Sequence, residues 1–137
     1  GKPIYLELSS VNPVVILPGA LEEKLDDLAG QFTTSCLMGT GQFCTNPGLV
    51  ILIAGPQTEK FIAMLVQKFQ AAPVGTLLSG GVAKSLAHGI STLTKAGATV
   101  LVGGTAGGGK GHSHANTLLR ASGQQFLAAP EALVLPS

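Results

Sequence analysis

One cysteine stands where a nucleophile could. Cys44 lies within Gly39-Thr40-Gly41-Gln42-Phe43-Cys44-Thr45-Asn46-Pro47-Gly48, a stretch dense in glycine and proline just ahead of the most apolar run of the chain. Glycine permits positive φ and close approach of a ligand to the main chain, and Asn-Pro-Gly reads as a turn, so the cysteine is expected on a loop. A loop thiolate among rigid neighbours can attack a carbonyl; a small buried hydrophobe is the alternative. Glu7 is the second chemical candidate, flanked by Tyr5, Leu6 and Leu8. It reads either as a residue of an exposed strand edge or as a carboxylate set beside chemistry. His112 and His114 are two apart and His88 falls on a helix, but with few carboxylates near them they read as solvated side chains, and no metal site is expected.

The elements that must position these groups follow from periodicity. Pro3 to Leu8 reads as a strand, as does Val14 to Leu17 behind the Asn12-Pro13 breaker. Ala20 to Met38 has Leu21, Leu25, Leu28, Phe32 and Leu37 at helical spacing, with acidic residues early on the other side and Gly30 as the weak point. Leu49 to Ala54 reads as a strand buried on both faces. Helices are expected over Thr58–Gln70 and from Ser79-Gly80-Gly81 to about Lys95, then a strand at Ala98–Val102. The tail from Thr117 reads as a strand, a short helix and a short strand. Helix alternating with apolar strand predicts an α/β fold, a layered parallel-type sheet flanked by helices.

Gly104-Thr105-Ala106-Gly107-Gly108-Gly109-Lys110 has the spacing of a phosphate-binding loop after a strand, yet Gly111 stands where the magnesium-binding hydroxyl belongs. The segment after it does not read as a helix that could point its dipole at phosphates, so a flexible surface loop is the expectation.

Composition narrows the function classes. With 137 residues there is room for one domain with a real core. Charged residues make up only 11%, against 45% hydrophobic, which suits a chain covered on several sides or belonging to a larger protein. A net charge of +1 and few aromatic residues argue against nucleic acid. No apolar run is long enough to span a bilayer, and no membrane partner is expected. Two cysteines make no disulfide framework, and a reducing cytoplasmic setting is the default.

Taken together, Leu6-Glu7-Leu8-Ser9-Ser10-Val11-Asn12-Pro13 and Gly41-Gln42-Phe43-Cys44-Thr45-Asn46-Pro47-Gly48 resemble the glutamate and cysteine motifs of the aldehyde dehydrogenase superfamily, in the family's order and at close to its separation. The wording of the second is most similar to the branch acting on 2,5-dioxopentanoate (α-ketoglutaric semialdehyde). The resemblance implies that an aldehyde is oxidised to a carboxylic acid with NADP or NAD. By it, Cys44 is the nucleophile and its own N–H an oxyanion donor, Glu7 is the general base, Phe43 lines the aldehyde pocket, and Leu8 and Ser9 approach the coenzyme. It also implies a homo-oligomeric full-length enzyme.

The departures shape what is expected of this chain. Ser9 replaces the family's usual glycine, the dinucleotide-binding domain that precedes the glutamate motif is not in the sequence, and neither is the later Glu-x-Phe-Gly-Pro segment. The expectation is therefore a partial, cysteine-bearing catalytic domain over residues 1–137, with little or no dehydrogenase activity in isolation. The competing readings are a non-catalytic scaffold or oligomer contact, and a thiol hydrolase pairing Cys44 with a histidine.

Overall fold

A computed structural model describes residues 2–3 and 11–133. The expected strand over Pro3 to Leu8, with Glu7, Leu8 and Ser9, lies outside the described residues except for Pro3. The elements are β1 (Pro13–Ile16), α1 (Pro18–Leu37), a 3₁₀ turn (Met38–Gly41), β2 (Leu49–Leu52), α2 (Pro56–Ala71), α3 (Gly80–Lys95), β3 (Thr99–Val102), β4 (Leu118–Arg120), α4 (Gly123–Ala128) and α5 (Pro130–Leu133). The fold is α/β. β1 and β2 pair in parallel with Pro13 opposite Leu49 and Ile16 opposite Leu52, and α1 provides the crossover between them. β3 and β4 pair antiparallel, with an irregularity between Val100 and Val102. The described strands thus form two separate two-stranded sheets, a parallel one that carries the cysteine loop and an antiparallel one further along the chain.

The helices begin where local chemistry says they should. Pro18 and Pro56 open α1 and α2, positions at which the missing N–H costs nothing. Ser79 caps α3 by accepting from the Val82 N–H, and Ser122 with Gln125 forms a reciprocal capping box on α4. Starting at Pro18 instead of Ala20 moves Glu22 and Glu23 out of the first turn of α1, so the dipole reading of those acids does not hold. The irregular residue in α1 is Lys24 (φ −139°, ψ 36°), whereas Gly30 stays helical between buried Ala29 and Phe32. Tertiary packing overrides the weak helix propensity of glycine there.

The core lies between α1, α2 and one face of the β1–β2 pair. Ile16, Leu21, Ala29, Phe32, Phe61 and Leu65 are buried together, and Val14, Val50, Leu52 and Leu118 pack against them. The rings of Phe32 and Phe61 meet at 6.3 Å and 57°. The other face of the pair is open. Val15, opposite Ile51, is 61% exposed and Ile51 48%, and Leu17 and Ile53 continue the same apolar strip. The expectation that β2 is buried on both faces therefore fails among the described residues: alternate side chains point away from α1 and α2, the described helices that cover it.

The glycine-rich segment is also not a loose loop. Ala106 bridges His114 in an antiparallel hairpin, with Gly107 N–H on the Ser113 carbonyl (2.8 Å) and Ala115 N–H on the Thr105 carbonyl (2.9 Å). His114 is buried at 5% exposure, contrary to the solvated reading; its Nδ1 lies 3.1 Å from the Ala115 carbonyl, which makes Nδ1 the protonated nitrogen. Asn116, at the hairpin's end, donates to the Ala72 carbonyl (3.1 Å) and so caps α2.

Phe61 is fully buried at the centre of the core. Phe61→Ala should lower the unfolding free energy by about 3–5 kcal/mol, read from a denaturant titration with unchanged slope.

Candidate active site

Cys44 sits on the connection between the 3₁₀ turn and β2, and it is exposed. The turn closes over Phe43–Asn46, with Asn46 N–H donating to the Phe43 carbonyl at 3.0 Å, and so ends where the Asn46-Pro47-Gly48 turn read from sequence would begin. Ahead of it Gly39, Thr40 and Gly41 all have left-handed backbone (φ 57°, 62° and 74°). For threonine this is a true outlier, because its β-branched side chain crowds the following carbonyl. Gly75 accommodates that side chain, since a β-carbon there would be driven into the Thr40 hydroxyl. The Phe43 ring lies over Gly39, where a β-carbon would come within 2.5 Å of Cε2, and the ring is 51% exposed.

A loop without regular pairing must still satisfy its backbone polar groups, and side-chain amides do so here. Asn12 donates to the Cys44 carbonyl at 2.7 Å and the Asn46 carbonyl at 3.0 Å. Asn46 donates to the Cys36 carbonyl near the end of α1 at 2.7 Å. Gln42 accepts from the Leu78 N–H at 2.8 Å and donates to the carbonyls of Thr76 (3.3 Å) and Gly39 (3.1 Å). Gly48 N–H reaches the Val11 carbonyl at 2.7 Å, and a β-carbon on Gly48 would stand 2.6 Å from that oxygen. Sequence reading took Asn12 as a breaker and Asn46 as a turn residue, placed both and Gln42 within the two motifs, and gave none of them, nor Gly75, a part in holding the loop. The one available signal was the pair of amide side chains, Gln42 and Asn46, that bracket Cys44 in a glycine-rich context.

The two cysteines differ physically. Cys36 is half-buried on α1, its thiol 3.8 Å from the Pro47 carbonyl, and burial pushes its pKa up to about 12. It is a protonated, inert thiol at neutral pH. Elsewhere His112 brings its ring against Gly80 and its carbonyl to Leu77 N–H, while His88 is exposed on α3. Among the described residues no group of three or more His, Cys, Asp or Glu side chains could hold a metal. The hairpin does not fit a nucleotide phosphate: Gly104, Gly107 and Gly109 already donate their N–H groups to Thr117 Oγ1, the Ser113 carbonyl and Ser113 Oγ, and the next element is the strand β4 instead of a helix.

The aldehyde dehydrogenase family profile matches residues 1–132. The chain belongs to the aldehyde dehydrogenase family. It is 36% identical over 128 residues to α-ketoglutaric semialdehyde dehydrogenase 2 of Azospirillum brasilense, covering 93% of this chain and 24% of that enzyme. It is 40% identical over 91 residues to α-ketoglutaric semialdehyde dehydrogenase of Acinetobacter baylyi, covering 66% and 17%. An NAD+ complex of an aldehyde dehydrogenase from Bacillus cereus shares the fold, with a TM-score of 0.73 at 23% identity over 82% of this chain and 24% of that one. The chain therefore spans about a quarter or less of the length of these relatives. No described helix is long and apolar enough to cross a membrane.

Two outcomes follow from this geometry. Gly75→Ala should cost about 1–3 kcal/mol through the collision with Thr40, and Thr40→Gly in that background should recover most of it by clearing the space and removing the positive-φ penalty; a double-mutant cycle by denaturant unfolding reads the coupling. Because the Cys36 thiol stays protonated in the fold from its ordinary value near 9 up to about 12 while the unfolded chain ionises, stability should fall as pH rises through that window, and Cys36→Ala should flatten the decline in pH-resolved thermal melts.

Proposed function

We propose that this chain is the cysteine-bearing part of the catalytic domain of an NAD(P)-dependent dehydrogenase that oxidises an aldehyde to a carboxylic acid, with 2,5-dioxopentanoate as the favoured substrate. Family membership and the two relatives named for that semialdehyde support the reading. The observation that carries it is the meeting of the two motif segments: Val11 and Asn12, which continue the segment bearing Glu7, hydrogen-bond across to the Cys44 loop. An exposed thiol on a loop whose carbonyls are tied back is a group an aldehyde can reach.

In this reading the Cys44 thiolate adds to the carbonyl carbon, forming the C–S bond and an oxyanion that the Cys44 N–H helps to stabilise. A carbonyl carbon cannot lose hydride until it is tetrahedral, which is why addition comes first. A nicotinamide coenzyme, NADP or NAD, supplies the hydride acceptor when bound; the described residues offer its phosphates no cradle, and Leu8 and Ser9 are its proposed contacts by family position alone. Once hydride has left the tetrahedral carbon and its C=O has re-formed, the acyl group would remain on Cys44 as a thioester; Glu7 would take a proton from water, the resulting hydroxide equivalent would add to that thioester, and the C–S bond would break to release the acid and restore the Cys44 thiolate. Phe43 is proposed to line the aldehyde path.

The alternative is a folded scaffold or oligomer contact, which the open apolar strip of Val15, Leu17, Ile51 and Ile53 favours. Because Cys36 is inert by burial, even an ordinary exposed Cys44 would outpace it, so a short cysteine peptide is the proper reference. Iodoacetamide labelling should modify Cys44 at least about tenfold faster than that peptide at pH 6.5, where thiolate supply limits the rate. Equal rates would favour the scaffold, and loss of the difference on replacing a histidine would favour a thiol hydrolase. The isolated chain should not turn over 2,5-dioxopentanoate with NADP, and measurable NADPH formation would overturn the proposal of inactivity.

A further inference from the structure

Among the amide groups around the cysteine, Asn12 holds a place that the chemistry above does not use. It lies five residues after Glu7 in the chain and one before β1, with its backbone in the left-handed region (φ 49°), a conformation asparagine tolerates better than most side chains. From there its Nδ2 reaches the carbonyls of Cys44 and Asn46, on both sides of Thr45. The Cys44 carbonyl belongs to the central peptide of the Phe43–Asn46 turn, the peptide whose reversal converts one turn type into another and would require positive φ at Thr45. Next to it, the Val11 carbonyl takes the Gly48 N–H. Consecutive residues of one segment thus clamp the turn at its centre and at its exit, directly ahead of the Pro13–Leu49 register of the parallel pair.

We propose that Asn12 is a positioning residue: a latch whose side-chain NH₂ group fixes the Cys44–Thr45 peptide and sets the register of the cysteine loop against the segment that continues from Glu7. The latch rests on the dehydrogenase reading for its purpose, but its physical content is independent of that reading. Two acceptor carbonyls converge on one NH₂ group, so the position demands donated hydrogens. Asparagine supplies both. Aspartate has the same shape and supplies none when ionised, while the ionised carboxylate would also repel both carbonyls. Cys36 shares in the consequence, because its carbonyl and thiol are both turned to this loop, through Asn46 and Pro47.

The test uses the whole chain and the variants Asn12→Asp and Asn12→Gly. Glycine keeps the positive φ without the amide, which separates loss of the latch from backbone strain. At pH 7 hydrogen–deuterium exchange of the Asn46 and Gly48 amides should quicken at least about tenfold in both variants, with α2 amides changed less than about twofold. Cys36 labelling should rise in step and Cys44 labelling should fall. On acidification from pH 7 to 4 the Asn12→Asp exchange rate, taken as a ratio to wild type at each pH, should return toward one as the carboxyl gains a proton to donate; the Asn12→Gly ratio should stay raised. A general loss of packing would not restore itself on acidification in one variant only. Unchanged loop exchange in both variants overturns the latch, as does a ratio for Asn12→Asp that ignores pH. If instead the loop loosens as described but wild-type Cys44 labels no faster than the cysteine peptide, the latch stands and the dehydrogenase reading fails.

Discussion

A loop that makes few backbone pairs with itself has to find its hydrogen bonds elsewhere, and in this protein the side-chain amides provide them. Asn12, Gln42 and Asn46 together engage the main chain of residues 36, 39, 44, 46, 76 and 78. Each amide links the cysteine loop to a different neighbour: the approach to β1, the segment before α3, and the end of α1. Of these bonds only that from Asn46 to the Cys36 carbonyl is half-buried, where an acceptor without a partner would cost roughly 1–3 kcal/mol; the others lie exposed. The loop is therefore held by satisfaction of polar groups more than by apolar burial, and Cys44 itself remains exposed. Asn116 repeats the device at the end of α2, so every asparagine of the chain serves as a collector of carbonyl groups.

The second neighbour of the loop extends its influence furthest. Residues 74–77 lie between Gln42 and the glycine-rich hairpin: Thr76 Oγ1 donates to the Lys110 carbonyl, Leu77 N–H donates to the His112 carbonyl, and Gly109 approaches the Val74 carbonyl so closely that a β-carbon would stand 2.6 Å away. Glycine is required in that hairpin for close contact between main chains. The same residues at the same spacing in a nucleotide-binding protein would leave their N–H groups free for phosphate. Here they are spent within the fold.

The scarcity of charge acquires a structural meaning from the β1–β2 pair. Its inner face carries the core, and its outer face presents Val15, Leu17, Ile51 and Ile53 to solvent. Strands of a parallel sheet are ordinarily covered on both faces, since the crossover connections place helices on each.

The sequence alone determined the order of elements from β1 to α4, because periodicity, the serine before α3 and the glycine after it are local signals that local physics reads directly; the short strand expected at the end of the tail is helix α5 where it is described. It determined the cysteine's place on a loop for the same reason, and the wording around Glu7 and Cys44 carried the family. Tertiary structure decided what depends on contacts between distant residues. It set the one-sided burial of β2, the helical state of Gly30 between buried Ala29 and Phe32, the ordered hairpin with His114 inside it, and the use of Asn12, Gln42 and Asn46 as straps. A side-chain amide 32 residues from its acceptor, as Asn12 is from Cys44, leaves no periodic trace in the chain, because its role exists only once parallel pairing has brought the two segments together.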